Sequence, residues 1–185
     1  MDSGSDRAGA VEVSIVAVAL ADDAAIVAQI VDLINGVYAE AESGLWRPGA
    51  RRTNADDIAD RIRAQEIATA RLDDRLVGAI RIRRIADDLG EFGMLVASPE
   101  HRGIGIGRTL VAFAEDWARQ QGLGRMQLEL LAPQAWTHPF KEHLRGWYTR
   151  IGYRQVRVGD LAELYPELHL RLATPCELAI HHKHL

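Results

Sequence analysis

Residues 91–109 read EFGMLVASPEHRGIGIGRT. Phe92 to Ser98 is an apolar run that predicts a strand, and the turn after it is rich in glycine. Beyond the turn, Leu110, Phe113, Ala114 and Trp117 recur at helical spacing, which predicts a helix from about Ile106 to Gln121. Strand, glycine turn and helix in that order make an anion site. Gly103, Gly105 and Gly107 accept backbone angles closed to other residues and let a ligand approach the main chain. The helix start presents unpaired N–H groups and the positive end of its dipole. Arg102 and Arg108 add charge suited to phosphate, so the expected ligand is a pyrophosphate.

Spacing excludes two nucleotide motifs. The dinucleotide fingerprint needs G-x-G-x-x-G, and this turn is G-x-G-x-G. A Walker loop needs a glycine where Arg102 stands and a lysine where Arg108 stands. The segment resembles instead the R/Q-x-x-G-x-G/A acetyl-CoA motif of the GCN5-related N-acetyltransferase (GNAT) superfamily, matched by Arg102, Gly105 and Gly107. The resemblance implies that Arg102, Gly103, Ile104, Gly105, Ile106, Gly107, Arg108 and Thr109 cradle the pyrophosphate of acetyl-CoA. It also implies that the fourth and fifth strands splay apart, with the pantetheine arm pairing to backbone near Leu95, Val96 and Ala97. A glycine-rich loop without a ligand is the plain alternative.

Outward from this segment, Val11 to Leu20 suits a buried strand, and Asp22 or Asp23 caps a helix carrying Ile26, Val27, Ile30, Leu33, Ile34 and Val37. Gly44 to Arg52 is a loop, and Thr53 or Asn54 caps a second helix through about Glu66. Ile67–Leu72 and Leu76–Ile85 form a hairpin about Asp73-Asp74. Arg81, Arg83 and Arg84 alternate with Ile80, Ile82 and Ile85, so one face of its second strand is expected to be wet. Strands are expected over Arg125–Leu131, Tyr153–Val158 and Cys176–His182, a fourth helix over Lys141–Ile151, and irregular chain over Pro133–Pro139. The expected class is α/β (α+β): a mixed, twisted sheet of about seven strands with four helices on its faces. One domain spans residues 11–185, after a tail of residues 1–10.

Composition bounds the function classes. Apolar residues make up 48% of the 185 and charged residues 26%, an ordinary globular balance. A net charge of −4 argues against nucleic-acid partners. No stretch reads as a membrane span or signal peptide, so a cytoplasmic protein is expected. The single Cys176 excludes an internal disulfide and reads as a buried small residue. His181, His182 and His184 lack a carboxylate or thiolate partner in sequence and read as a strand end, with no metal expected. His138 is the one histidine placed to matter, as a base or acceptor contact, and otherwise reads as a surface-loop histidine.

Acetyl transfer by direct attack in a ternary complex needs a held thioester, a base for the incoming amine and an acid for the departing thiolate. Tyr148 lies in Gly-Trp-Tyr-Thr-Arg-Ile-Gly-Tyr, which resembles the family's Tyr-x-x-x-Gly-Phe/Tyr signature and implies the acid role. Two carboxylates compete for the base. Glu91 precedes Arg102 by eleven residues, as in the histone acetyltransferase branch; Glu129 stands in Leu-Glu-Leu, similar to the ribosomal-protein acetyltransferase branch. The N-x-x-A pattern of many members is missing after the fifth strand, and Glu129 to Tyr148 looks expanded, as if to shape the acceptor pocket. Trp46, Arg47 and Arg51, with Arg52, occupy the loop that borders the acceptor in this superfamily; they suit an acceptor with an anionic group, or form a solvated basic loop.

The resemblance thus implies an acetyl-CoA-dependent transferase acting on a primary amine of a small molecule or peptide. A non-catalytic acyl-CoA sensor or a regulatory interaction protein is the alternative on the same fold. Oligomeric state stays open, dimers through late strands being common in look-alikes.

Overall fold

The computed structural model describes residues 9–185, so residues 1–8 of the expected tail lie outside the described residues. The sheet begins with four antiparallel strands: β1 (Glu12–Ile15), β2 (Ile67–Leu72), β3 (Arg75–Ala86) and β4 (Leu89–Ala97). Strand β5 (Arg125–Pro133) joins β4 in parallel. Beyond it β7 (Cys176–His184) pairs antiparallel to β5, and β6 (Arg154–Gly159) closes the order β1-β2-β3-β4-β5-β7-β6. This is the mixed seven-stranded sheet expected.

Helices cover both faces. Helices α1 (Ala24–Ala41) and α2 (Ala55–Arg63) pack Val27, Ile30, Ile34, Ile58 and Ile62 against Ile67, Ala79 and Val96. Helices α3 (Ile106–Gln120) and α4 (Pro139–Arg150) pack Leu110, Val111, Ala114 and Tyr148 against Ile80, Ile82, Phe92 and Met126. Two single-turn helices, α5 (Leu161–Leu164) and α6 (Pro166–His169), occupy the proline-bearing stretch before β7.

Several boundaries differ from expectation for identifiable reasons. Strand β1 stops at Ile15 rather than Leu20 because β2 begins at Ile67. Val16 N–H donates to the Ile67 carbonyl at 2.9 Å, and the chain then turns into a 3-10 segment over Val18–Asp22. Asp23 is the cap of α1, accepting from Ala25 and Ile26 N–H. Helix α2 is capped by Asn54 and ends at Arg63, short of Glu66. Gln65 takes a left-handed φ of 58°, Glu66 N–H reaches back to the Arg61 carbonyl and Gln65 N–H to that of Ile62. That is a glycine-type helix stop made without glycine, so the sequence hides it. It frees Glu66 to meet Arg81. Asp73 and Asp74 have φ of 48° and 63°, the left-handed pair that a tight hairpin needs.

Helix α1 bears on the expectation that no stretch reads as a membrane span. Its 18 residues have a mean hydropathy of 1.3, long and apolar enough by composition to cross a membrane. Val27, Ile30, Val31 and Ile34 instead sit in the core against α2 and the sheet.

Gly78 on β3 sets how closely α3 approaches the sheet. A Cβ there would lie 2.7 Å from Ile106 Cγ2, 2.9 Å from Leu110 Cδ1 and 3.0 Å from the Val96 carbonyl oxygen. Gly78→Ala is expected to destabilise the fold by about 1–3 kcal/mol through overpacking. Denaturant unfolding checks this, and an unchanged midpoint would show that α3 moves away freely.

Candidate active site

Strands β4 and β5 pair over only three residues: Leu89 with Arg125, Gly90 with Met126 and Glu91 with Gln127. Beyond that point β4 runs on to Ala97 and β5 to Pro133 without pairing, although β5 stays paired to β7 as far as Pro133. One edge of β4 from Phe92 to Ala97 is therefore left open. Met94 bulges there with a φ of 50°, and the β3 register shifts from Arg81–Gly93 to Ala79–Val96. A cavity of about 1010 Å³ opens in the gap, lined by both strands, α1, α2, α4 and the β6–β7 connection.

The glycine turn meets the cavity through Arg102, while residues 103–109 lie outside its lining. Arg102, Leu95, Val96 and Ala97 line the cavity. Gly103 and Gly105 both have φ of 87°, and an added Cβ at either meets nothing within 4 Å. Gly105 occupies the cap position of α3, and no side chain caps that helix. The first N–H groups of α3 thus start beside open space, where an anion fits. Thr109 turns its hydroxyl back onto the Gly105 carbonyl at 3.2 Å. Ile106 is buried beneath Gly78, so only its backbone is available to a ligand; Ile104 is half exposed and Arg108 is exposed. Arg102 pairs loosely with Glu40 at 3.3 Å.

The candidate catalytic side chains line the same cavity. Tyr148 is 6% exposed on α4, against Phe92, Trp147 and Tyr153. Burial pushes its phenol well above the ordinary range, so it stays protonated. Glu91 and Glu129 are linked through Gln127, which donates to Glu91 Oε2 at 2.9 Å and lies 3.5 Å from Glu129 Oε1. Glu91 Oε1 also accepts two bonds from Arg83, at 2.9 and 2.7 Å. Glu129 has a lighter shell: Tyr165 O–H donates to it at 2.7 Å. Burial raises the Glu129 pKa above the ordinary carboxylate value, outweighing that hydrogen bond. The face expected to be wet is therefore the cavity wall, where Arg83 meets Glu91 and Arg81 meets Glu66 at 2.6 Å.

The acceptor loop divides. Trp46 lines the cavity, with its indole N–H on Glu42. Arg47 is turned away, its Nε on the Leu172 carbonyl at 3.0 Å, and Arg51 is exposed outside the lining. Arg52 takes the place expected for them, over the rings of Tyr38 at 4.9 Å and Trp46 at 5.6 Å. Burial pushes the Tyr38 phenol up to about 12.

Several cavity residues are absent from the sequence reading. Lys141 and Glu42, 4% and 3% exposed, form a buried ion pair that ties α4 to the end of α1. Burial pushes the Glu42 carboxyl up, but Lys141 and Arg52 together hold it below its ordinary value. Tyr165 comes from the short-helix segment, whose one local signal is Asp160 capping Ala162 N–H at 2.8 Å. His138 is a correction. It is 8% exposed rather than a surface residue, opens α4, stacks on Trp136 at 5.3 Å and lines the cavity. The expanded segment contributes His138, Phe140, Lys141 and Leu144 to the wall. Cys176 is buried, and burial pushes its thiol up to about 11. His181 and His182 lie within β7, on the Ala179 carbonyl and the Gln127 side chain respectively.

Residues 32–153 match the model of the acetyltransferase (GNAT) family. A streptothricin acetyltransferase of Escherichia coli is 37% identical over 58 residues, which are 31% of this chain and 33% of that protein; the match thus spans about a third of the relative's length. Among solved structures, the PaiA N-acetyltransferase of Thermoplasma acidophilum in complex with coenzyme A superposes with a TM-score of 0.69. It is 15% identical over 95% of this chain and 99% of that one. An aminoglycoside 6'-N-acetyltransferase complexed with coenzyme A gives a TM-score of 0.64 at 18% identity, over 87% of this chain and 91% of that one.

Proposed function

Since the chain belongs to the acetyltransferase (GNAT) family, we propose that its cleft transfers an acetyl group from acetyl-CoA to a primary amine of a small molecule or peptide, within one domain over residues 11–185. The observation that carries this reading is the divergence of β4 from β5 immediately past Glu91 and Gln127, in line with an uncapped helix start behind two left-handed glycines. The backbone of residues 102–109 suits the pyrophosphate, and the free edge of β4 at Leu95, Val96 and Ala97 suits the pantetheine arm. The coenzyme A bound in the two similar structures supports acetyl-CoA as the donor. Acetyl-CoA supplies an activated acetyl thioester; the chain supplies position and proton transfers.

Glu129 is the proposed base. Both Glu91 oxygens are engaged by Arg83 and Gln127, whereas Glu129 holds one strong bond and has a raised pKa. A carboxylate lifted toward neutrality accepts a proton from an ammonium more readily than an ordinary one. Tyr165 stays neutral and donates to Glu129, because burial and the Glu129 charge both raise its pKa. Glu91, clamped to Arg83, orients Gln127. Tyr148, lining the same cavity from α4, holds its phenolic proton ready for the departing thiolate.

Glu129→Gln is expected to lower kcat/KM by about 10²-fold, and Glu91→Gln by less than about tenfold. In the parent protein the rate falls as pH drops through the raised Glu129 pKa; the Gln variant loses that acidic limb. Stability moves the other way. With its folded pKa raised, Glu129 binds protons better folded than unfolded, so stability falls as pH rises through that window, and Glu129→Gln is not destabilising above it. An intact acidic limb in Glu129→Gln would remove the base assignment.

A further inference from the structure

Most cations lining the cleft are matched by carboxylates. Arg81 is paired with Glu66, Arg83 with Glu91, Lys141 with Glu42 and Arg102 with Glu40. Arg52 and Arg61 form no ion pair among the described residues. Both are half-buried and both line the cavity.

Each is held in place without a carboxylate in contact, although Glu42 acts on Arg52, and Asp57 and Glu66 on Arg61, from a distance. The backbone N–H groups of Arg52 and Thr53 both donate to Asn35 Oδ1, at 2.8 and 3.1 Å, and Asn35 Nδ2 returns a bond to the Thr53 carbonyl at 3.0 Å. The Arg52 guanidinium then lies over the faces of Tyr38 and Trp46. That contact orients the cation beside the Tyr38 hydroxyl and leaves donors of its fork for a ligand. Arg61, on α2, rests one Nη on Thr53 Oγ1 at 3.3 Å and on the Met94 sulfur at 3.2 Å, beside the β4 bulge. Burial, then the charges of Arg81 and Arg52, push the Arg61 pKa below its ordinary value. A half-buried guanidinium with no carboxylate in contact keeps hydrogen-bonding capacity that an anion entering the cleft can use.

We infer that Arg52 and Arg61 form an anion subsite at the acceptor end of the cleft, and that the amine acceptor carries a carboxylate. This rests on the acetyltransferase reading of the same cleft and names the class of its acceptor. Tyr165 links the two ends of such a molecule. Its hydroxyl bonds Glu129, and its ring lies close enough to Arg52 for the two to be electrostatically coupled. Glu129, Tyr165 and Arg52 all line this one cavity, so an ammonium at Glu129 and an anion at Arg52 can belong to one acceptor. The planar fork of arginine matches a carboxylate through two parallel hydrogen bonds.

The test is acetyl transfer to the L-α-amino acids, their carboxamides, phosphoethanolamine and spermidine, after coenzyme A binding has been measured separately. At least one amino acid is expected to exceed its carboxamide by about 30-fold in kcat/KM, the low end for a desolvated charge pair. In Arg52→Met and Arg61→Met that ratio should collapse toward one through KM, with Arg52→Lys recovering part of it. Unchanged coenzyme A binding in the variants confirms that they fold. Preference for spermidine or for carboxamides, or no transfer to any carboxylated amine, overturns the inference while coenzyme A binding leaves the transferase reading standing. Preference for phosphoethanolamine overturns the carboxylate. Failure to bind coenzyme A at all sinks the parent reading instead.

Discussion

Tyr148→Phe is expected to cut kcat by about 10²-fold or more, with acetyl-CoA affinity changed by less than about threefold. The substitution removes one oxygen from a ring that keeps its packing against Phe92, Trp147 and Tyr153. The fold should survive, because among the described residues the Tyr148 hydroxyl makes no hydrogen bond that the core would lose, while its backbone carbonyl still accepts from Tyr153 N–H at 3.0 Å. What disappears is a proton. Burial keeps the phenol neutral, so in the proposed acid role it arrives at the reaction loaded, with a proton for the departing thiolate. Steady-state kinetics separate this from a binding role. Lost affinity with intact turnover would show that Tyr148 only packs against the ligand.

The second large effect is expected at Gly105. Valine there must take a φ of 87° at the cap position of α3, which costs a non-glycine residue about 1–2 kcal/mol. Its side chain would also project into the open space in front of the first N–H groups of the helix. Acetyl-CoA binding should weaken by at least about 10²-fold, because the backbone approach and the helix-end field are both blocked. Global stability should fall by no more than the strain. Gly105→Ala carries the strain with little bulk and should lie between the two. Calorimetric titration with acetyl-CoA beside denaturant unfolding checks both halves. Retained affinity in Gly105→Val would move the cradle elsewhere.

Much of the fold was legible because its signals are local. The glycine turn between Phe92 and Leu110, the Asp73-Asp74 hairpin and the Asp23 and Asn54 caps act within a few residues, and their structures follow from backbone angles and orphaned N–H groups. The site was legible only where a motif concentrates it, at residues 102–109 and Tyr148. Elsewhere it is assembled across the chain. Glu42 meets Lys141 over a separation of 99 residues, and Tyr165 meets Glu129 over 36. No spacing rule announces either pair. Alternation of arginine and isoleucine on β3 was correctly seen as two-faced, yet only the packing of α2 and the Glu66 stop turns the polar face into a cavity wall. Arg47 and Arg51 misled for the same reason. A basic loop states its charge, whereas the Asn35 clamp decides that Arg52 is the cation facing inward.

Every role proposed for the cleft depends on the gap between β4 and β5 holding an acyl-CoA. Calorimetric titration of the purified protein with acetyl-CoA, with free coenzyme A for comparison, tests it most directly. Saturable one-to-one binding in the micromolar range is the predicted result, and it would justify every assignment that depends on the donor's position. No heat and no saturation up to millimolar acetyl-CoA would contradict it and leave a GNAT fold that does not bind its donor.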